Sequence, residues 1–133
     1  GAEESGAKTK EKELMSSEYI ERKVGLKYCA HDEEIYREIV AAYCDDYPDK
    51  LQKLKNSYLE QDWKSYVTYV HSLKSSSLNI GGVILSEMAA DLEKAGKEYL
   101  ANRDEKNISY LHEKHEKLMK LYQSTVDEAR QQL

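Results

Sequence analysis

One histidine in this 133-residue chain stands among side chains suited to holding a phosphoryl group. His71 lies in the run Val70-His71-Ser72-Leu73-Lys74-Ser75-Ser76-Ser77-Leu78-Asn79-Ile80-Gly81-Gly82. Val70, Leu73 and Ser77 follow the three-then-four spacing of a buried helical stripe, and Trp63 and Tyr66 extend it backwards. His71 sits one position round from Val70, so it flanks the stripe rather than lying in it. Lys74 and Ser75, three and four residues on, come up beside it on a helix. A free imidazole titrates near pH ~6.5, so its neutral, nucleophilic form is present at neutral pH. The N–P bond it forms has a high transfer potential, so a phosphoryl group taken up there can move on to a carboxylate. The expected attacking atom is Nε2, with Nδ1 held by a neighbour or by water. Lys74 would offset the phosphoryl charge, and Ser75 would leave room for a partner. The plainer alternatives are a boundary histidine that only packs, a solvated lysine whose stem covers apolar surface, and a back-bonding hydroxyl.

Lys64, Val67, Thr68, Ser75 and Leu78 lie along the same helical side as His71. They are expected to form part of a mixed apolar and basic docking face, against the alternative of a half-exposed helix flank. On that expectation, replacing Lys64 or Val67 with Glu slows transfer without unfolding the chain.

Other chemistries find less support. His112 and His115 are three apart, but the run His112-Glu113-Lys114-His115-Glu116 is not His-Glu-x-x-His. No histidine of the three at 71, 112 and 115 has a Glu three residues before it, as a di-iron bundle needs. They are expected to be packing or surface residues, and no metal site is expected. His31, at a helix start, gets no role. A Gly-rich phosphate loop, a nucleotide motif and an acidic cluster suited to Mg²⁺ are all missing. The net charge of −5 argues against a general nucleic-acid binder, while leaving room for a locally basic patch. Cys29 and Cys44 are too few for a disulfide framework and are expected to be reduced, partly buried thiols. No apolar run approaches a membrane span, and no signal-peptide pattern is present.

The elements that must position His71 follow from local signals. Charged residues are 34% of the chain and there is one Pro, which favours helices over a sandwich. Residues 1–23 are expected to be a charged linker, disordered to about residue 12. A weak helical signal follows over 13–23, where Leu14, Met15, Tyr19 and Ile20 could touch a core. Residues 24–31 read as a connection carrying Gly25, and residues 24–133 as one domain. Asp32 looks like an N-cap with Glu33 and Glu34 in the first turn. Ile35, Tyr36, Ile39, Val40 and Tyr43 then make one apolar face. Pro48 fits a first helical turn, before a face of Leu51, Leu54, Tyr58 and Leu59. Asp62 caps the His71 helix, which should end at Gly81-Gly82. Leu85, Met88, Leu92, Ala95 and Tyr99 form a bundle seam. The last helix, about 105–131, carries Ile108, Leu111, His115, Leu118, Tyr122 and Ala129. The eleven Tyr are expected to be core and boundary aromatics whose hydroxyls reach water. The expected fold is all-α: an antiparallel four-helix bundle with an additional N-terminal helix packed on one end.

The pattern His71-x-Leu73-Lys74-x-Ser76-Ser77, then Ile80-Gly81 and Leu92-Glu93-Lys94-Ala95, resembles the histidine phosphotransfer (Hpt) domain of bacterial phosphorelays. Gly25-Leu26 and the helix start Asp32-Glu33-Glu34-Ile35-Tyr36 extend the resemblance over roughly 24–125. Ser75 stands where the family often has Gly, and Gly82 where it often has Ala. The resemblance implies the same bundle, with His71 as the phosphorylated residue. It also implies a carrier that is not an enzyme in itself and needs no cofactor of its own. A partner response-regulator receiver domain would bring both the acceptor Asp and Mg²⁺. The expected role is a cytoplasmic phosphocarrier, taking a phosphoryl group from one receiver aspartate and passing it to another. Its expected partners are receiver domains and a hybrid histidine kinase; the charged N-terminal segment suggests a piece cut from the end of such a kinase, with a free-standing carrier as the alternative. A monomer without direct membrane contact is expected. A phosphorylation-independent helical adaptor for receiver or kinase domains is the alternative.

Overall fold

The computed structural model describes residues 19–133, which carry six helices and no strand. They are α1 (Arg22–Tyr28), α2 (Glu33–Asp45), α3 (Tyr47–Leu59), α4 (Trp63–Asn79), α5 (Val83–Asn102) and α6 (Glu105–Arg130). Three helices start on an aspartate whose carboxylate takes up free amides of the first turn. Asp32 accepts from Glu34 N and Ile35 N, Asp62 from Ser65 N, and Asp104 from Asn107 N.

α2 and α3 are joined only by Asp46, itself right-handed helical at φ −75° and ψ −15°. Pro48 in the first turn of α3 has no N–H to give to the turn before it, which breaks the helix there. The two therefore fill one position of the bundle, and α4, α5 and α6 fill the other three. Three-residue links join α3 to α4 and α4 to α5, and two residues join α5 to α6. Links this short force successive helices to run antiparallel, and α4 packs most extensively on α5. The core between them includes Tyr36, Val40, Leu54, Tyr66, Val70, Leu73, Leu85, Leu92, Leu111, Leu118, Tyr122 and Val126.

α1 closes one end. Residues 24–28 are helical rather than a connection, and buried Gly25 lies inside that helix. A Cβ on Gly25 would come within 2.5 Å of Tyr36 Cε1 and 2.6 Å of the Ile80 carbonyl carbon, so only Gly lets α1 seat there. Glu21 N donates to Gly81 O at 2.8 Å, and Tyr36 OH donates to Ile80 O at 2.9 Å. Arg22 pairs with Glu33 and reaches Gln132. Gly81, with φ +89°, makes the left-handed turn from α4 into α5.

Of the N-terminal residues expected to touch a core, Ile20 is buried and Tyr19 half-buried; Leu14 and Met15 lie outside the described residues. Two expected core positions are exposed: Leu59, at the last turn of α3, and Ile35, in the first turn of α2. Both sit where a helix leaves the bundle and has no neighbour to cover it. Four tyrosines, Tyr36, Tyr43, Tyr66 and Tyr122, are buried, and three of their hydroxyls bond inside the protein rather than to water. The hydroxyl of Tyr122 has no hydrogen-bond partner among the described residues. Cys29 and Cys44 are both free and buried, and burial raises both thiol pKa values. No helix among the described residues is long and apolar enough to cross a membrane.

Candidate functional site

α4 has to bury Val70, Leu73 and Ser77, and that requirement fixes its rotation. With the stripe inward, His71 emerges at the edge facing α5, and its side chain keeps 57% of its surface exposed. Below it the two helices come close at Gly96 of α5. A Cβ there would lie 2.5 Å from Val67 Cγ2, so the absence of a side chain lets Val67 fit against the α5 backbone. One helical turn further along this seam, the carboxylate of Glu93 sits opposite His71.

Glu93 is 6% exposed and accepts three bonds. Its Oε2 lies 2.5 Å from His71 Nδ1 and 3.0 Å from Lys97 Nζ, and its Oε1 lies 2.7 Å from Lys74 Nζ. Burial pushes its pKa up, but the bonds from Lys74, Lys97 and His71 outweigh that and hold it at about 2. At neutral pH Glu93 is therefore an anion, and the proton shared with His71 belongs on Nδ1. Nε2 has no protein hydrogen-bond partner among the described residues. A donor on Nδ1 leaves the lone pair on Nε2, the tautomer in which the outer nitrogen can attack. Ser86 Oγ, bonded to Lys74 O at 2.8 Å, ties α5 to α4 one turn beyond.

The combination decides the matter: a half-exposed histidine on the second long strut of a four-position helical bundle, oriented by a buried carboxylate, in a chain whose residues 38–132 match the family model of the Hpt domain. The chain belongs to the Hpt domain family. No curated protein and no solved structure matches it significantly. As an Hpt domain it is a phosphotransfer protein of a phosphorelay, a carrier rather than a catalyst, working with receiver domains and kinases.

The expected site residues do not all come together. Lys74 stands beside His71 but spends its ammonium on Glu93. Ser75 is exposed and leaves the His71 surface open. Lys64 and Thr68 are exposed, and Leu78 is half-buried. Val67 is buried at 8% exposure and cannot belong to a docking face. The helical wheel puts it on the His71 side, but the close approach at Gly96 brings α5 over it. Val67→Glu would bury a carboxylate, so it damages the fold rather than testing docking. Sequence reasoning passed over Glu93 and Lys97. Glu93 stood inside the Leu92-Glu93-Lys94-Ala95 motif without a role. The available signal was a lone acid in the buried stripe of α5.

His112 and His115 are packing residues at the other end of α4. The His115 ring stacks on Tyr58 at 3.7 Å and 2°, and its Nδ1 meets Tyr66 OH at 2.8 Å. Burial lowers its pKa to about 4. His112 Nδ1 meets Tyr58 OH at 2.8 Å. Among the described residues no three His, Cys, Asp or Glu side chains group as metal ligands.

Proposed function

We propose that this Hpt domain accepts a phosphoryl group on His71 Nε2 from a receiver aspartyl phosphate and passes it to a second receiver aspartate. The observation that carries the reading is the His71 Nδ1–Glu93 bond at 2.5 Å. In the first transfer the Nε2 lone pair forms a bond to phosphorus while the bond from phosphorus to the aspartyl oxygen breaks. The carboxylate leaves with that electron pair. No proton has to move, because Nδ1 already carries one. The ring then bears positive charge, directly above the Glu93 carboxylate, which stabilises it. Onward transfer reverses these steps, and a protonated Nδ1 makes the ring a good leaving group. The receiver would bring both the aspartate and Mg²⁺, and the metal would offset the negative charge on the transferring group.

Lys74 and Lys97 give the phosphoryl group two cations within reach of His71. Each is bonded to Glu93 before transfer, and the incoming phosphoryl charge competes for them. Ser75 contributes by being small.

The test is transfer from a phosphorylated receiver, with Mg²⁺, to this protein and to His71→Gln. Acid-labile, alkali-stable label on the wild type and none on the variant is the expected result. Label on both would place the phosphoryl group on another residue. No label from any of several receivers, with the helical circular dichroism intact, would favour a phosphorylation-independent adaptor.

A further inference from the structure

His71 has two flanks, and they differ. Towards α5 lie Lys74 and Lys97, each bonded to Glu93, with Val67 buried beneath. The shallow depression on that side, about 290 Å³, is lined by charges of both signs and by Ala90. Towards α3 the helix presents Thr68, one turn before His71, and Ser72, next to it; both are exposed. Each residue advances a helix by about 100°, so Thr68, Ser72 and Tyr69 lead in that order away from His71 and towards α3. They end in a groove of about 240 Å³ between α3 and α4. Its floor is apolar, from the buried Leu54 and Leu73, and Lys50 and Lys53 stand at its α3 wall. A second depression of about 170 Å³ continues along the same seam past Lys50 to Asp46, Tyr43 and Ile39.

The charge of this face runs against that of the chain. The residues lining the groove include two lysines, Lys50 and Lys53, and no acid, in a protein of net charge −5. No acidic residue occurs between Asp62 and Glu87. Lys53 shares its ammonium with Asp49 at 3.0 Å, while Lys50 has no acidic partner among the described residues. Asp46, Glu60 and Asp62 sit at the helix junctions rather than beside His71. A basic, apolar-floored groove opening beside a nucleophile fits a partner segment with an apolar side chain flanked by carboxylates.

We infer that the receiver domain exchanging phosphoryl groups with His71 docks an acidic, apolar-tipped segment into the α3–α4 groove, with Lys50 and Lys53 steering it. This rests on His71 being the phosphorylated residue. It assigns the approach to the α3 flank, because the α5 flank is occupied by the Glu93 cluster. Long-range attraction between the basic face and an acidic partner should speed encounter and weaken with salt.

Two full-length variants test it: the charge reversal Lys50→Glu/Lys53→Glu, and Ser72→Tyr, which fills the groove mouth without changing charge. Two donors separate docking from chemistry. One is a receiver domain phosphorylated by acetyl phosphate with Mg²⁺; the other is phosphoramidate, too small to need docking. The expected result is receiver transfer slowed roughly tenfold or more in both variants, within the one to three decades that interface changes move an association rate. The charge reversal should also flatten the dependence of the wild-type rate on salt. Phosphoramidate labelling of His71 should stay within about twofold of wild type, since Lys50 and Lys53 lie across the groove on α3 and position 72 points about 100° round the helix from His71. Unchanged receiver transfer in both variants, with phosphoramidate labelling intact, overturns the groove and leaves the role of His71 standing. Equal losses with both donors also overturn it, since the changes would then act on His71 itself. Phosphoramidate failing to label His71 in the wild type overturns the role of His71, and the groove with it.

Discussion

Glu93 concentrates the chemistry of the site in one carboxylate. A buried acid with three donors has no neutral form to fall back on at physiological pH, so its acceptor role towards His71 is permanent. Glu93→Gln keeps the shape but removes the charge, and its amide must present a donor to one of the three groups that also donate. The Nδ1–H tautomer of His71 should then lose population, visible in the ¹⁵N shifts of the imidazole. Receiver transfer should slow roughly tenfold, the equivalent of one charge-assisted hydrogen bond. A purely structural role would lower the melting temperature and leave the tautomer ratio as it was. That result would remove Glu93 from the mechanism. At this scale the sequence could place Lys74 beside His71, because their relation is three residues along one helix. Glu93 stayed silent because its partner lies 22 residues away, and only helix packing brings them together.

The α4–α5 seam is the element on which the site depends, and Gly96 sets its spacing. Adding one methyl there would meet Val67 Cγ2 at 2.5 Å, and a β-branched side chain has few rotamers in a helix with which to evade it. Gly96→Ala gains about 1 kcal/mol of helix propensity and loses about 1–3 kcal/mol to overpacking. The helices should therefore part slightly, with a net loss of up to about 2 kcal/mol in chemical denaturation. Because Glu93 lies one turn from Gly96 and His71 one turn from Val67, separation should lengthen the Nδ1 contact and slow transfer more than it lowers stability. Equal transfer rates in the two proteins would mean that the seam tolerates spreading. The helix starts at Asp32 and Asp62 were legible beforehand, since each carboxylate acts within its own first turn; Asp104, which caps α6 in the same way, reads in the sequence only as part of a turn. The α1 helix was not, because Gly25 reads as a breaker until Tyr36 and Ile80 are seen lying against it. Leu59 misled for the converse reason: periodicity marks the apolar side of a helix but not where its neighbours end.

Across the whole molecule, acid should act first at the end of the bundle remote from α1. His115 is 5% exposed, stacked on Tyr58, and held neutral by burial with a pKa of about 4. The charged groups nearest it pull in opposite directions: Glu116 raises its pKa and His112 lowers it. In the unfolded chain the same ring titrates near ~6.5, so between those values the unfolded state binds more protons than the folded one. Stability is then complete above about pH 6.5 and falls as pH drops towards 4, by about 3 kcal/mol in all. Glu93, depressed to about 2, adds a second loss at lower pH, as its carboxylate is protonated more readily in the unfolded chain. The two ranges are separable. In thermal melts the midpoint should drop by roughly 10 °C between pH 7 and pH 4. His115→Phe should flatten that slope, though it strands the Tyr66 hydroxyl and lowers the midpoint at neutral pH. Glu93→Gln should leave the pH 4–6.5 slope in place. A melting midpoint independent of pH between 7 and 4 would mean that His115 binds its proton equally well in the folded and unfolded protein, and would remove burial as the force that keeps the ring neutral.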